Sequence, residues 1–261
     1  MNRIRRFVLG AVGACAMSMA PAVSQAANIQ LGFVLDESGS IAASEWNIIR
    51  NGLASAINLI PTTGPNTYFL SVVTFDSDAN LRINNVQVTA ANQASLSTQI
   101  AGFAQGGGST NYQAAFAGMD AALGTSTNYD YSYVNFATDG EPNTCTSGSN
   151  AWTCGIAARD ALIASGVDNI SIEGIGIGAG AAANLQTSIC YPGPCDTTSP
   201  YNFPTQGFYI GVANATEYAA AIGGKVRTVT GQVPEPATLA LVGLSLAGLG
   251  AMRRRKQAAA A

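Results

Sequence analysis

Three short segments set far apart in the chain carry side chains that could hold one metal ion. They are Asp36-Glu37-Ser38-Gly39-Ser40, Gly108-Ser109-Thr110 and Thr138-Asp139-Gly140. A hard divalent cation such as Mg²⁺ takes oxygen ligands in near-octahedral geometry and keeps several waters. The carboxylates of Asp36 and Asp139 and the hydroxyls of Ser38, Ser40 and Thr110 can supply such a site without closing it. One position would stay free for a ligand from outside. Taken singly, Asp36 reads as a helix cap or loop carboxylate, Thr110 as a cap and Asp139 as a turn residue. Jointly, those readings leave the spacing unexplained. Glu37 and Glu141, beside the site, read as surface charge.

The composition narrows the chemistry. The chain has no histidine, which removes Ser-His-Asp and Cys-His catalysis, imidazole zinc sites and histidine proton relays. No carboxylate pair presents itself as acid and base, so a metal-dependent hydrolase is the weakest reading and no enzymatic activity is expected. Between Asn28 and Val233 five basic residues face fourteen acidic ones, a formal balance of −9. A body this acidic repels phosphate backbones and argues against nucleic-acid binding.

The elements that must position these groups follow from apolar pattern. Ile29 to Leu35 is a continuous apolar run, as for a strand covered on both faces. Ser44 reads as the N-cap of a helix over Glu45 to Leu59, with Ile48, Ile49, Leu53, Ile57 and Ile60 as its apolar stripe. Strands are expected over Thr67 to Phe75, Tyr131 to Ala137, Asn169 to Gly178 and Phe208 to Val212, and a short edge hairpin over Leu81 to Val88. Helices are expected over Thr89 to Phe103, Tyr112 to Leu123, Cys154 to Ser165 and Ala215 to Val229. Alternation of strands and helices predicts an α/β fold. It would be a single domain, doubly wound, with a mostly parallel central sheet and helices on both faces. Tyr191 to Phe203 reads as a surface insertion with few core candidates. The glycine run from Gly174 to Gly180 lacks the Lys-Ser/Thr of a phosphate loop.

Both ends read as addresses. Residues 1–27 have the basic start, apolar stretch and small-residue end of a secretory signal. At the other end Pro234-Glu235-Pro236 precedes a short apolar run and Arg253-Arg254-Arg255-Lys256. This three-part tail, residues 231–256, resembles the PEP-CTERM sorting signal of Gram-negative bacteria. The resemblance implies cleavage by an exosortase-type protease. It also implies transient anchoring in the inner membrane through the C-terminal transmembrane helix, then delivery to the surface or extracellular matrix. Cys145, Cys154, Cys190 and Cys195 form an even set, as expected of disulfides in an oxidising compartment. Four cysteines allow three pairings. The local one, Cys145 with Cys154 and Cys190 with Cys195, closes small loops and is the expected one.

Residues 28–230 resemble a von Willebrand factor A domain, and the three opening segments resemble its metal-ion-dependent adhesion site. That family places Asp-x-Ser-x-Ser after the first strand, a Thr on a later loop and an Asp at the end of the fourth strand. Asp36, Ser38, Ser40, Thr110 and Asp139 match in order. The resemblance implies Ser38, Ser40 and, when a partner is bound, Thr110 as direct ligands of Mg²⁺ (or Mn²⁺ or Ca²⁺), with Asp36 and Asp139 supplying charge and orienting waters. It implies an exported binding protein whose partner, a protein or an exopolysaccharide matrix polymer, offers an acidic group. A structural matrix component with a merely stabilising metal is the alternative.

Overall fold

The structure, a computed structural model, describes residues 26–124 and 128–232. Residues 1–25 of the signal, the Pro-Glu-Pro motif and the apolar tail lie outside them. Among the described residues no helix is long and apolar enough to cross a membrane.

Six strands form one sheet: β1 (Asn28–Asp36), β2 (Thr67–Phe75), β3 (Ala79–Gln87), β4 (Tyr131–Thr138), β5 (Asn169–Ile175) and β6 (Tyr209–Val212). Their order across the sheet is β3-β2-β1-β4-β5-β6. All neighbours pair parallel except β3, an antiparallel edge strand against β2. The winding reverses at the β1–β4 pair, and in an open α/β sheet the carboxyl ends at that reversal form the binding crevice.

Helices cover both faces. On one side α1 (Ala43–Ile57), α2 (Gln93–Ala101) and α6 (Ala215–Val229) pack on Leu31, Phe33 and Leu35 of β1, with Trp46, Leu53 and Ile222 in the same core. On the other, α3 (Tyr112–Leu123), α4 (Ala151–Ala164) and α5 (Ala179–Ser188) enclose Val34, Phe75, Phe136 and Ile172. β1 therefore has no solvent face, which is why apolar residues occupy both of its faces. Gly52 lets α1 and α6 meet closely, since a Cβ there would stand 2.8 Å from that of Ala219.

Several expectations need correction. α1 starts at Ala43 after an N-cap at Ala42, not at Ser44. The Glu45 carboxylate accepts from the Ala42 N–H at 3.2 Å and so supplies the cap from inside the first turn. Ile48 points outward, and Trp46 takes the buried place. α2 is shorter than expected because Asn92 folds back to accept from the Thr89 N–H at 2.8 Å, making a turn before the helix. α4 begins three residues early, where Asn150 accepts from the Thr153 N–H at 2.9 Å. β5 ends at Ile175, and the following glycines lead into α5, which pattern reading missed for want of large apolar residues. Residues 191–203 are not a bare insertion. Tyr201 stacks on Phe208 at 4.4 Å and Phe203 meets Tyr133 edge-on at 4.7 Å, covering one end of the core. Both local disulfides, Cys145–Cys154 and Cys190–Cys195, are formed.

Candidate metal centre

β1 delivers Asp36 to the crevice with only 1% of its surface exposed. Its two carboxylate oxygens are held separately. Oδ1 accepts from the Ser38 N–H at 2.9 Å, and Oδ2 accepts from the Thr138 hydroxyl at 2.7 Å, across the β1–β4 pair. From there the donors form a connected chain. The Ser38 and Ser40 hydroxyls are 3.0 Å apart. Ser40 donates to Asp139 Oδ1 at 2.9 Å, and Thr110 donates to Ser38 Oγ at 3.2 Å. The fold thus brings all five predicted residues to one place. Ser38 and Thr110 are buried, Asp139 is partly buried and Ser40 is exposed, so the cluster opens outward on the Ser40 side.

Thr110 sits on a loop that is tied down at many points. Gly107 N–H donates to Glu37 O at 3.0 Å and Gly39 N–H to Gly108 O at 2.9 Å. Gly108 N–H donates to Asp76 Oδ2 at 3.1 Å, and Ser109 N–H to Ser77 Oγ at 2.9 Å. Asn143 accepts from the Thr110 N–H at 3.0 Å. Gly107 has φ +94°, a conformation that costs glycine little and other residues more. The loop needs that turn to lay its backbone against the Asp36–Ser40 loop.

Sequence reasoning misplaced Glu37. Its side chain is fully buried, not surface charge. Arg82 from β3 binds both its oxygens, at 3.1 and 3.0 Å, and Thr74 and Asn80 donate to Oε1 at 2.8 and 2.9 Å. A carboxylate buried this deeply needs a paired cation and further donors, and here it has both. Glu141 is exposed and accepts from Asn184 at 3.0 Å. Thr138 and Asp76 also went unassigned. Thr138's position directly before Asp139 was the one available signal.

The electrostatics differ between these carboxylates. Burial raises the Asp36 pKa to about 6, against the lowering effect of its hydrogen bonds, and the nearby Asp139 charge adds to the rise. Burial likewise raises Asp139, partly offset by the Ser40 hydrogen bond. Among the described residues neither has a Lys or Arg partner. This is an acidic pair short of positive charge. Nor do three His, Cys, Asp or Glu side chains gather anywhere among those residues as a metal site, so a cation here would depend on hydroxyls. The donor set fits a small hard ion. Octahedral ligands at the Mg²⁺–oxygen distance lie about 2.9 Å from one another, and the Ser38–Ser40 and Thr110–Ser38 hydroxyl separations are 3.0 and 3.2 Å. Beside Asp139 lies a cavity of about 190 Å³ lined by Ile41, Glu45, Ile49, Ile175 and Asn214.

Comparison with known proteins agrees with this picture. A family model described as von Willebrand factor type A domain matches residues 30–206, and one described as PEP-CTERM protein-sorting motif matches residues 232–256. No curated protein matches the chain. Among solved structures, proximal thread matrix protein 1 from the mussel byssus superposes with a TM-score of 0.59 at 13% identity, covering 79% of this chain and 49% of that one. A form of the same protein with a zinc-occupied MIDAS motif gives 0.56 at 18% identity, over 78% and 46%. The pilus adhesin SpaC from Lactobacillus rhamnosus GG gives 0.58 at 14% identity, over 80% and 31%. These likenesses establish a shared fold. The chain spans about half of the byssus protein and a third of the adhesin.

Proposed function

The chain belongs to the von Willebrand factor type A family, and from that premise we propose that it is an exported adhesion-type protein that binds an acidic partner through a divalent cation. Ser38, Ser40 and Thr110 would hold the ion through their hydroxyls, with Asp36 and Asp139 supplying negative charge and orienting its waters. When bound, the ion supplies an electrophilic centre for a partner's carboxylate. The observation that carries the reading is the unbroken chain Thr110–Ser38–Ser40–Asp139, its hydroxyls at octahedral-edge spacing beside an uncompensated Asp36. Thr138 fixes Asp36, and the clamped glycine loop fixes Thr110, so little reordering is needed to receive the ion. The sorting motif supports export, processing by an exosortase-type protease and placement at the cell surface. Delivery to the matrix of a Gram-negative bacterium, and a protein or exopolysaccharide ligand there, belong to the same proposal. A non-catalytic role fits the absence of histidine from the sequence.

The test is a pull-down of extracellular matrix from the producing cells in Mg²⁺ and in EDTA, with Asp139→Ala as control. Capture that needs Mg²⁺ and disappears in the variant supports the proposal. Capture that survives both EDTA and the substitution refutes it. A rise in melting temperature with Mg²⁺ without any metal-dependent capture would favour the stabilising role instead. At 100 times its dissociation constant a bound ion stabilises by about 2.7 kcal/mol.

A further inference from the structure

A second polar cluster lies inside the core, on the α1–α6 face of the sheet and independent of the metal site. Lys225 of α6 is 2% exposed and Glu173 of β5 is fully buried, with Nζ 2.6 Å from Oε1. Asn135 of β4, 5% exposed, lies diagonally across the β4–β5 ladder from Glu173, two residues along from its partner Ala137. Its amide touches the Glu173 carboxyl and shifts its titration. Phe208 covers the ammonium at 5.0 Å. Asn135 and Lys225 both line a small cavity of about 10 Å³, room for at most one water.

The contacts are close but unsatisfied. Asn135 Nδ2 and Oδ1, Glu173 Oε1 and Oε2, Lys225 Nζ and Tyr218 Oη are all buried without a hydrogen bond of proper geometry. Lys225 Nζ and Glu173 Oε1 face each other at 2.6 Å, but one water cannot serve the four remaining atoms, and buried polar groups left unpaired are rare enough to need a cause. An ion pair without supporting hydrogen bonds does not repay its own desolvation. A covalent product between two of these groups would remove both charges.

We propose that Lys225 Nζ and Asn135 Cγ are joined by an isopeptide bond that forms spontaneously in the folded chain, with Glu173 carrying the protons. A proton passes from the Lys225 ammonium to the Glu173 carboxylate, leaving a neutral amine beside a carboxylic acid. Burial favours this, since it lowers Lys225 to about 8 and raises Glu173. The amine lone pair attacks Asn135 Cγ while Glu173 hydrogen-bonds the amide oxygen. A nitrogen–carbon bond forms, the Cγ–Nδ2 bond breaks, and one ammonia leaves with the proton taken from Nζ by way of Glu173. No oxidant, reductant or co-reactant is consumed. The bond would tie the middle of the sheet to α6, the element next to the C-terminal sorting tail.

Intact-mass measurement on the purified, disulfide-reduced chain decides this. The wild type should weigh one ammonia less than its sequence, with a branched proteolytic peptide joining Asn135 to Lys225. Lys225→Met, Asn135→Ala and Glu173→Gln should each restore the full sequence mass. A wild-type mass equal to the sequence, a deficit of one water, or an ammonia loss mapped elsewhere overturns the proposal. Because the wild type carries the deciding result, poor folding of a variant does not weaken the test.

Discussion

Replacing Arg82 with Met should destabilise the domain by about 2–4 kcal/mol. Glu37 has no exposed surface, and Arg82 supplies its only positive charge. Removing one partner of a buried ion pair typically costs about 3–5 kcal/mol, because the remaining charge stays in the protein interior. Two features lower that figure here. Thr74 and Asn80 would still donate to Glu37 Oε1, and the Arg82 side chain is a quarter exposed, so part of its attraction is already screened. Arg82 also donates to Thr74 Oγ1 at 2.7 Å and Ala104 O at 3.0 Å, and these bonds would be lost as well. Methionine keeps most of the apolar stem, so the measured loss reports the guanidinium. The assay is guanidinium-induced unfolding with EDTA present, so that no bound cation contributes. Adding Glu37→Gln to Arg82→Met should recover part of the loss, because no buried charge then remains. A loss below about 1 kcal/mol for Arg82→Met, or no recovery in the double variant, would refute the view that Arg82 holds the buried Glu37 carboxyl.

Two other substitutions probe the packing that carries the site. Gly52→Val should cost about 1–3 kcal/mol by thermal or chemical unfolding, since the new Cβ would stand 2.7 Å from Ala219 Cα and push α1 off α6; unchanged stability would mean the two helices meet less closely than described. Phe203→Ala should cost about 2–3 kcal/mol, from lost burial and from its edge-on contacts with Tyr133 and Phe208. A loss within about 0.5 kcal/mol would return residues 191–203 to the status of a dispensable surface insertion.

The parts of this fold that pattern could reach are those with one repeating signal. β2, α3 and α6 fall on the residues expected, because β-branched density or 3.6-residue spacing runs through each without interruption. The five site residues were legible for a different reason. Each follows a strand or a glycine break that points it to the same end of the sheet, so a linear spacing encodes a spatial convergence. What escaped was decided by side-chain hydrogen bonds or by small residues. Asn92 shortens α2 and Asn150 starts α4 through caps that compete with other local turns. α5 buries only Leu185, leaving no stripe to detect.

Glu37, directly after β1, was misread for a deeper reason, one that applies to Glu173 of β5 as well. Alternation along a strand separates inside from outside only when one face meets water. In β1 and β5 both faces are covered, and β5 is buried at every residue from Asn169 to Ile175. A polar residue there has no solvent to turn to and must find its partner on the covering helices or on another strand of the sheet. Gln30 donates to Leu123 O at 3.0 Å, Glu37 meets Arg82, and Glu173 meets Lys225. Of the five basic residues between Asn28 and Val233, two are therefore committed to buried acids. Asp36 and Asp139, equally products of strand ends in this doubly covered sheet, have no such partner among the described residues. The same physics that assigns a base to each of the other two buried acids leaves these two without one, so burial raises the pKa of both, and a bound cation is the partner we propose for them.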